Sequence, residues 1–241
     1  MQCMLFPTLF ISHGGGPLPI LGDPSHAGLT ACLKGLLSGP LDGEKPDAIV
    51  MVSAHWAERA TVHISSAPSP AMLYDYGGFP KETYEYAYPA PGSPDLAARI
   101  RDLLSSAGID SKLDAARGYD HGVFVPLMLA VPNADVPIVC VSLLGSYDAA
   151  VHLAIGSALS SLRKDRILII GSGSSFHNMR ALMGGGDAAA MSEPFDEWLN
   201  TTLTRNVGRA RSALLMDWTA APSALLAHPK GGEVGKAAAH A

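Results

Sequence analysis

Apolar residues along this chain gather in short unbroken runs rather than in alternation. Residues 8–12 (TLFIS), 48–53 (AIVMVS), 137–143 (PIVCVSL) and 166–170 (RILII) place β-branched or aliphatic side chains on consecutive positions. That pattern predicts strands covered on both faces. Helical spacing fills the intervals. Ser93-Pro94-Asp95 supplies an N-cap, a first-turn proline and an acid, Leu96, Ile100, Leu103 and Leu104 form an apolar stripe, and Gly108 ends the element. Residues 148–164 repeat the pattern with Leu153, Ile155, Leu159 and Leu162 inward and Arg163 and Lys164 in the last turn, and 193–207 carries Phe195, Trp198 and Leu199. Strand and helix alternate, so the expected fold class is α/β, a single domain with a mostly buried central sheet flanked by helices. Residues 65–92 break the rhythm with Phe-Pro, Tyr-Pro and Ala-Pro steps and little periodicity, as expected of a long functional loop.

Composition narrows the class. The 241 residues suffice for one full core, read here as one catalytic domain over residues 1–241, and 48% hydrophobic with 16% charged residues describes a folded, enzyme-like chain. A net charge of −5 provides no basic footprint, which argues against a nucleic-acid partner. No apolar run approaches the roughly 20 residues of a membrane span, and no positively charged leader opens the chain, so the expectation is a cytoplasmic protein without membrane association. Cys3, Cys32 and Cys140 are scattered, and Cys140 within PIVCVSLL reads as a buried thiol of a reducing compartment.

Candidate chemistry enters with the histidines. Five stand at or just after strand-like runs: His13 (TLFISH), His55 (AIVMVSAHW), His121 (YDHG), His177 (ILIIGSGSSFHN) and His228 (LLAHPKGGE). A sheet that brings its strand ends to one edge assembles these imidazoles there, and imidazole clusters bind metal or move protons. His13 and His55 follow separate runs, so both can project toward one point. Two histidines plus a carboxylate or third histidine, with open positions, is the arrangement of non-haem Fe(II) oxygenases and of hydrolytic zinc sites. Hydrogen-bonded histidines at a sheet edge are the plainer alternative. His26, His63, His152 and His240 lack a strand-to-loop glycine signature and read as surface or helix residues. A serine hydrolase competes, because His13-Gly14-Gly15-Gly16 matches an esterase oxyanion-hole motif. Its nucleophile elbow would fall on Gly173-Ser174-Ser175-Phe176-His177, where imidazole replaces the closing glycine of that tight turn. The same stretch lacks the spacing and the Lys-Ser/Thr ending of a phosphate loop.

Six segments, in order, carry a more specific signal: Ser12-His13-Gly14-Gly15, Val52-Ser53-Ala54-His55-Trp56, Tyr74-Asp75-Tyr76-Gly77-Gly78-Phe79-Pro80, Tyr88-Pro89-Ala90-Pro91-Gly92-Ser93-Pro94, Asp120-His121-Gly122, and Gly171-Ser172-Gly173 through His177-Asn178. With these the chain resembles the class III extradiol ring-cleavage dioxygenases, in the branch that includes 4,5-DOPA extradiol dioxygenase, over about residues 8 to 230. The resemblance implies a mononuclear metal at the strand ends of an α/β domain and O2-dependent cleavage of a catechol beside its two hydroxyls. It implies His13 and His55 as metal ligands, His177 as the acid/base histidine and His121 as a second active-site histidine. Past His228-Pro229 the likeness changes. The family pattern continues to a Glu-His pair whose histidine completes the metal site, then to an apolar helix and a final strand. Here Lys230-Gly231-Gly232-Glu233-Val234 follows, and the tail is atypical from about residue 229. Five residues beyond His228 stands Glu233, a residue type that other class III dioxygenases use as third ligand; His228 is the alternative.

Ring cleavage sets the expected cofactor. Triplet dioxygen and a singlet catechol react through a redox-active metal, so Fe(II) is expected for activity, with zinc as a possible occupant of the isolated protein. His177, with a reference pKa of about 6.5, suits taking up a phenolic proton and giving it back. Tyr74, Tyr76, Phe79 and Tyr88 offer a wall for an aromatic ring, or else plain packing under a proline-rich loop. A small aromatic diol and O2 are the expected partners. The alternatives are a metal-assisted or serine hydrolase and a non-catalytic metal-binding relative that has lost its C-terminal ligand.

Overall fold

The computed structural model describes residues 5–229. In chain order its strands are β1 (Thr8–Ser12), β2 (Ala48–Ser53), β3 (Ala57–Glu58), β4 (Val62–Ser65), β5 (Ser111–Asp114), β6 (Ile138–Cys140), β7 (Leu143–Leu144) and β8 (Ile167–Gly173). Its helices are α1 (Leu18–Leu21), α2 (Ala27–Lys34), α3 (Pro94–Ser106), α4 (His121–Ala130), α5 (Ala149–Leu159), α6 (Ala188–Arg205), α7 (Gly208–Met216) and α8 (Ala224–Ala227). The central sheet has the order β1-β8-β2-β6 and every pairing in it is parallel. Parallel strands need helical crossovers that cover both faces, which is why the apolar runs are continuous.

The two faces separate cleanly by strand parity. Ile49 and Met51 of β2 and Leu168 and Ile170 of β8 join Leu33 of α2 and Val123, Phe124 and Leu127 of α4 in one core. Ala48, Val50, Ile167 and Ile169 turn the other way, onto Leu96, Ile100 and Leu104 of α3 and Ile155 and Leu159 of α5. The expected α/β class with a buried sheet therefore holds. Ser93 caps α3 by accepting from the Leu96 N–H, and Asp148 caps α5 by accepting from Val151.

Several elements differ from the sequence reading. The run 137–143 divides because its backbone changes partners: β6 pairs with β2, whereas β7 pairs with β3. β8 continues past Ile170 through Gly171, Ser172 and Gly173, residues with no apolar signal, because pairing with β1 on one side and β2 on the other holds them. His63 is neither on the surface nor on a helix; it lies on β4 with its side chain 13% exposed. His121 does not follow a strand but opens α4, and His228 follows the short helix α8. Helix α4 shows no amphipathic period because it is buried nearly all round, from His121 to Leu127.

Candidate metal centre

Register explains why distant histidines meet. Ser12 of β1 pairs with Gly173 of β8, and Ser53 of β2 pairs with Ser172, so the C-terminal ends of three adjacent strands lie level. His13 is the next residue after β1, and His55 is two beyond β2. His121, at the start of α4, reaches the same edge from the helical layer. One nitrogen from each of these three residues lies within 4.8 Å of the other two. The ring centroids stand 4.9 Å (His13–His55), 5.1 Å (His13–His121) and 4.0 Å (His55–His121) apart. His13 and His121 are buried, whereas His55 is exposed, so the cluster opens toward solvent on one side.

Two of the rings, His13 and His121, are held through Nδ1. The Ser172 hydroxyl donates to the Gly122 carbonyl, which leaves its oxygen to accept from His13 Nδ1–H at 2.9 Å. His121 Nδ1 lies 2.8 Å from Asp75 Oδ1, and the same oxygen accepts from the His121 backbone N–H at 2.9 Å. His55 Nδ1 stands 3.5 Å from the other oxygen, Asp75 Oδ2. Burial alone would raise the Asp75 carboxyl, but the His121 hydrogen bonds and the charges of His121 and His55 outweigh it and hold the group at about 2.

Behind this layer, Ser53 Oγ donates to Asp120 Oδ1 at 2.7 Å, tying the end of β2 to the residue before His121. Asp120 also pairs with Arg117, whose guanidinium lies 4.9 Å from the Trp56 ring centroid. Burial nevertheless pushes the Asp120 carboxyl up, against the downward pull of Ser53 and Arg117. A Cβ on Gly122 would meet Ser53 Oγ at 2.5 Å and His13 Nδ1 at 3.2 Å, so glycine lets α4 approach the cluster.

The donor set fits a divalent cation. His13 Nε2 and His55 Nε2 are 3.1 Å apart. Two bare lone pairs at that distance repel, so a proton or a cation belongs between them. Nitrogens each about 2.1 Å from one ion stand about 3.0–3.4 Å apart at ordinary coordination angles. An oxygen on Nδ1, as His13 has from Ser172, is the usual support for such ligands.

The other sequence-predicted residues are placed as follows. His177 lies on the connection after β8, half-buried, with its backbone N–H donating to Ala227 O. It shares the sheet edge of the cluster but is not one of the three converging rings. His228 is buried beside Phe195 and Trp218, with Nε2 2.8 Å from Ser175 O. Glu233 and His240 lie outside the described residues. Tyr76 faces the cluster, its ring centroid 5.9 Å from that of His121, with Phe79 and Tyr74 at 5.5 and 6.3 Å from it in turn. Tyr88 is different: at 3% exposure, with its hydroxyl donating to Val131 O, it belongs to the core rather than to that wall.

The hydrolase motif is otherwise engaged. Gly14 N–H donates to Ser12 Oγ and Gly15 N–H to His26 Nε2, while the Ser174 hydroxyl donates to Phe176 O and that of Ser175 to Asp196. His26 thus supports the turn after His13 rather than standing idle on the surface. Sequence reasoning assigned no role to Asp75, Ser172, Ser53 and Asp120, although each falls within one of the six ordered segments that carry the family resemblance.

Comparison with known proteins agrees with this geometry. Residues 7–239 match the profile described as the catalytic LigB subunit of aromatic ring-opening dioxygenase. The chain is 43% identical to dioxygenase tasH of Hapsidospora irregularis, over 95% of this chain and 75% of that protein. It is 39% identical to the 4,5-DOPA dioxygenase extradiol of Beta vulgaris, over 92% of this chain and 81% of the relative. The protein of the same description from Escherichia coli K12 is 37% identical over 85% and 73%. A crystal structure of an uncharacterized Escherichia coli K12 protein superposes with a TM-score of 0.69 at 30% identity, covering 88% of this chain and 80% of that one.

Proposed function

This chain belongs to the LigB family of aromatic ring-opening dioxygenases, and from that membership we propose that it is an Fe(II)-dependent extradiol dioxygenase acting on a catechol-type diol with O2. The observation that carries the reading is the convergence of His13, His55 and His121 at the strand ends, with Nδ1 of His13 and of His121 hydrogen-bonded and that of His55 3.5 Å from Asp75. In this reading His13 and His55 hold the ion with Glu233 as the third ligand, a carboxylate at the offset from His228-Pro229 where the family pattern closes the metal site, and His121 stands beside them as the second active-site histidine. A bound Fe(II) supplies the redox change that lets triplet O2 react with a singlet diol, which zinc does not.

The chain's own residues do the rest. Tyr76, with Phe79 and Tyr74 behind it, offers ring edges beside His121 against which an aromatic substrate packs. His177 takes a phenolic proton as the diol binds and returns it as the ring opens. The exposed side of His55 is the approach for the substrate, and the buried side, sealed by Ser53, Asp120 and Gly122, keeps water from the inner face. The whole chain, 1–241, acts as one catalytic domain, and its expected setting is the cytoplasm. No helix among the described residues is long and apolar enough to cross a membrane.

The test is to load chelated protein with Fe(II) under anaerobic conditions, admit O2 and follow a panel of catechols for yellow ring-opened products with matching O2 uptake. His13→Ala and His55→Ala should each lose the metal and the activity together. Turnover of an ester or amide without O2 would favour the hydrolase. Stoichiometric metal without any ring cleavage would favour the non-catalytic relative.

A further inference from the structure

The main chain of His55 is bracketed from a single buried carboxylate. The His55 N–H donates to Ser53 Oγ at 3.2 Å, and the Ser53 hydroxyl donates to Asp120 Oδ1 at 2.7 Å. On the other side, the His55 carbonyl accepts from Arg117 Nη2 at 3.4 Å, and the same nitrogen donates to Asp120 Oδ2. Both oxygens of Asp120 are thus used, one by a serine and one by an arginine. The two arms end on the two polar main-chain groups of one residue.

The longer arm is held in place independently. Asp114 Oδ1 accepts the N–H groups of Ala116 and Arg117 at 2.9 and 3.0 Å, a turn that brings Arg117 back toward the sheet edge after β5. Its guanidinium then lies 4.9 Å from the Trp56 ring centroid. Trp56 is itself buried and fixed: its Nε1–H donates to Glu58 Oε1 at 2.9 Å, and its carbonyl accepts the Leu143 N–H at 2.8 Å. The bond from Arg117 to His55 is long, but the ion pair and the indole fix the group that makes it.

We propose that Asp120 is a positioning residue of the metal centre: through Ser53 and Arg117 it fixes the main chain of His55, and with it the point from which this imidazole reaches the ion. The inference rests on the metal-centre reading above. The need is local. The last bond between the end of β2 and its neighbour β8 is Ala54 N–H to Ser172 O, one residue short of His55. Metal–ligand distances hold to about 0.2 Å, so a ligand just past a strand end needs its backbone fixed by something else. A carboxylate suits the task because it only accepts hydrogen bonds, and both arms arrive as donors.

Substituting Asp120 itself would strand Arg117, so the arms carry the test. Ser53→Ala removes one. Arg117→Lys keeps a positive charge beside Asp120 but loses the planar fork that reaches His55 O while lying on the indole. Cobalt(II) added to chelated protein is the probe. Each variant should weaken Co(II) binding about 10–100-fold and alter the visible absorption of the bound ion, while the near-UV circular dichroism of the chelated protein stays as in wild type. A merely structural role would lower thermal stability and leave that absorption unchanged. His13→Ala is the control for the reading itself. If it binds Co(II) like wild type, the metal centre lies elsewhere. If it loses the ion while both arm variants stay within about twofold of wild type, the role of Asp120 is overturned and the metal centre stands. An effect in only one arm variant makes that arm a separate contact and overturns the bracket. A measurement without any variant guards against misfolding: in chelated wild-type protein, 1H–15N spectra should show slow solvent exchange of the His55 amide and hindered rotation of the Arg117 guanidinium. Fast exchange together with an averaged guanidinium signal overturns the proposal.

Discussion

Gly122→Ala sets two physical rules against each other at one atom. Gly122 is the second residue of α4, and by helix propensity alone alanine there gains up to about 1 kcal/mol. The surroundings predict the reverse. The added Cβ would lie 2.5 Å from Ser53 Oγ, so the hydroxyl must retreat by about 0.9 Å to reach ordinary contact at 3.4 Å. Ser53 is buried and bonded to the buried Asp120 at 2.7 Å, so this retreat breaks the bond. Overpacking of this kind costs about 1–3 kcal/mol, and a weakened hydrogen bond to a buried carboxyl adds about 1–3 kcal/mol. The net expectation is a loss of about 1–6 kcal/mol, or roughly 2–24 °C in Tm at the 2–4 °C per kcal/mol of a chain of this size. Thermal unfolding of the chelated protein measures it, and a Co(II) titration should show weaker binding because His13 Nδ1 is only 3.2 Å from the new methyl. Gly156→Ala is the internal comparison, since that glycine lies inside α5 with nothing within 4 Å of its Cβ position. It should be neutral or slightly stabilising. Equal stability of the two variants would refute the steric argument.

Two further outcomes follow from the same geometry. His177→Ala should keep its metal while losing about 10²–10⁴-fold in ring-cleavage rate; metal loss equal to that of His13→Ala, read by metal analysis, would make His177 a ligand, and normal turnover would remove it from the chemistry. In the chelated protein, the Asp75 carboxyl at about 2 against an ordinary 3.8 contributes about 2 kcal/mol. Because the folded-state value is the lower one, that contribution is complete above about pH 4 and fades as pH falls toward 2, so the urea midpoints of wild type and Asp75→Asn should converge on acidification through that window; a constant difference down to pH 2 contradicts the assignment.

What the sequence revealed follows from what burial does to a chain. β1 and β2 are legible residue for residue because each carries consecutive apolar residues, Leu9-Phe10-Ile11 and Ala48 through Val52, as a strand between helical layers does. The three final residues of β8 are not, because Gly171, Ser172 and Gly173 are held by neighbouring strands rather than by hydrophobicity. Helix α4 is hidden for the opposite reason: apolar on all sides and interrupted by Pro126, it has the composition of a strand. His13 and His55 could be placed from their strands, since a parallel sheet brings strand ends to one edge. Asp75 could not, because its position depends on backbone pairing between an aperiodic loop and residues more than 40 positions away.

Pro126 shows how a local misfit can serve the site. A proline inside a helix lacks the N–H that would bond to the carbonyl four residues back, and costs an ordinary helix about 3 kcal/mol. Four residues before Pro126 is Gly122, and its carbonyl is the one that accepts the Ser172 hydroxyl. The proline therefore leaves an acceptor over, the acceptor orients the serine, and the serine oxygen then takes the Nδ1 proton of His13. With that proton fixed, Nε2 of His13 is the nitrogen left to face His55. A helix with alanine at 126 would reclaim the Gly122 carbonyl for itself, and the hydroxyl would be free to turn its proton toward His13 instead. The break in helical hydrogen bonding and the orientation of one imidazole are thus two consequences of the same missing N–H.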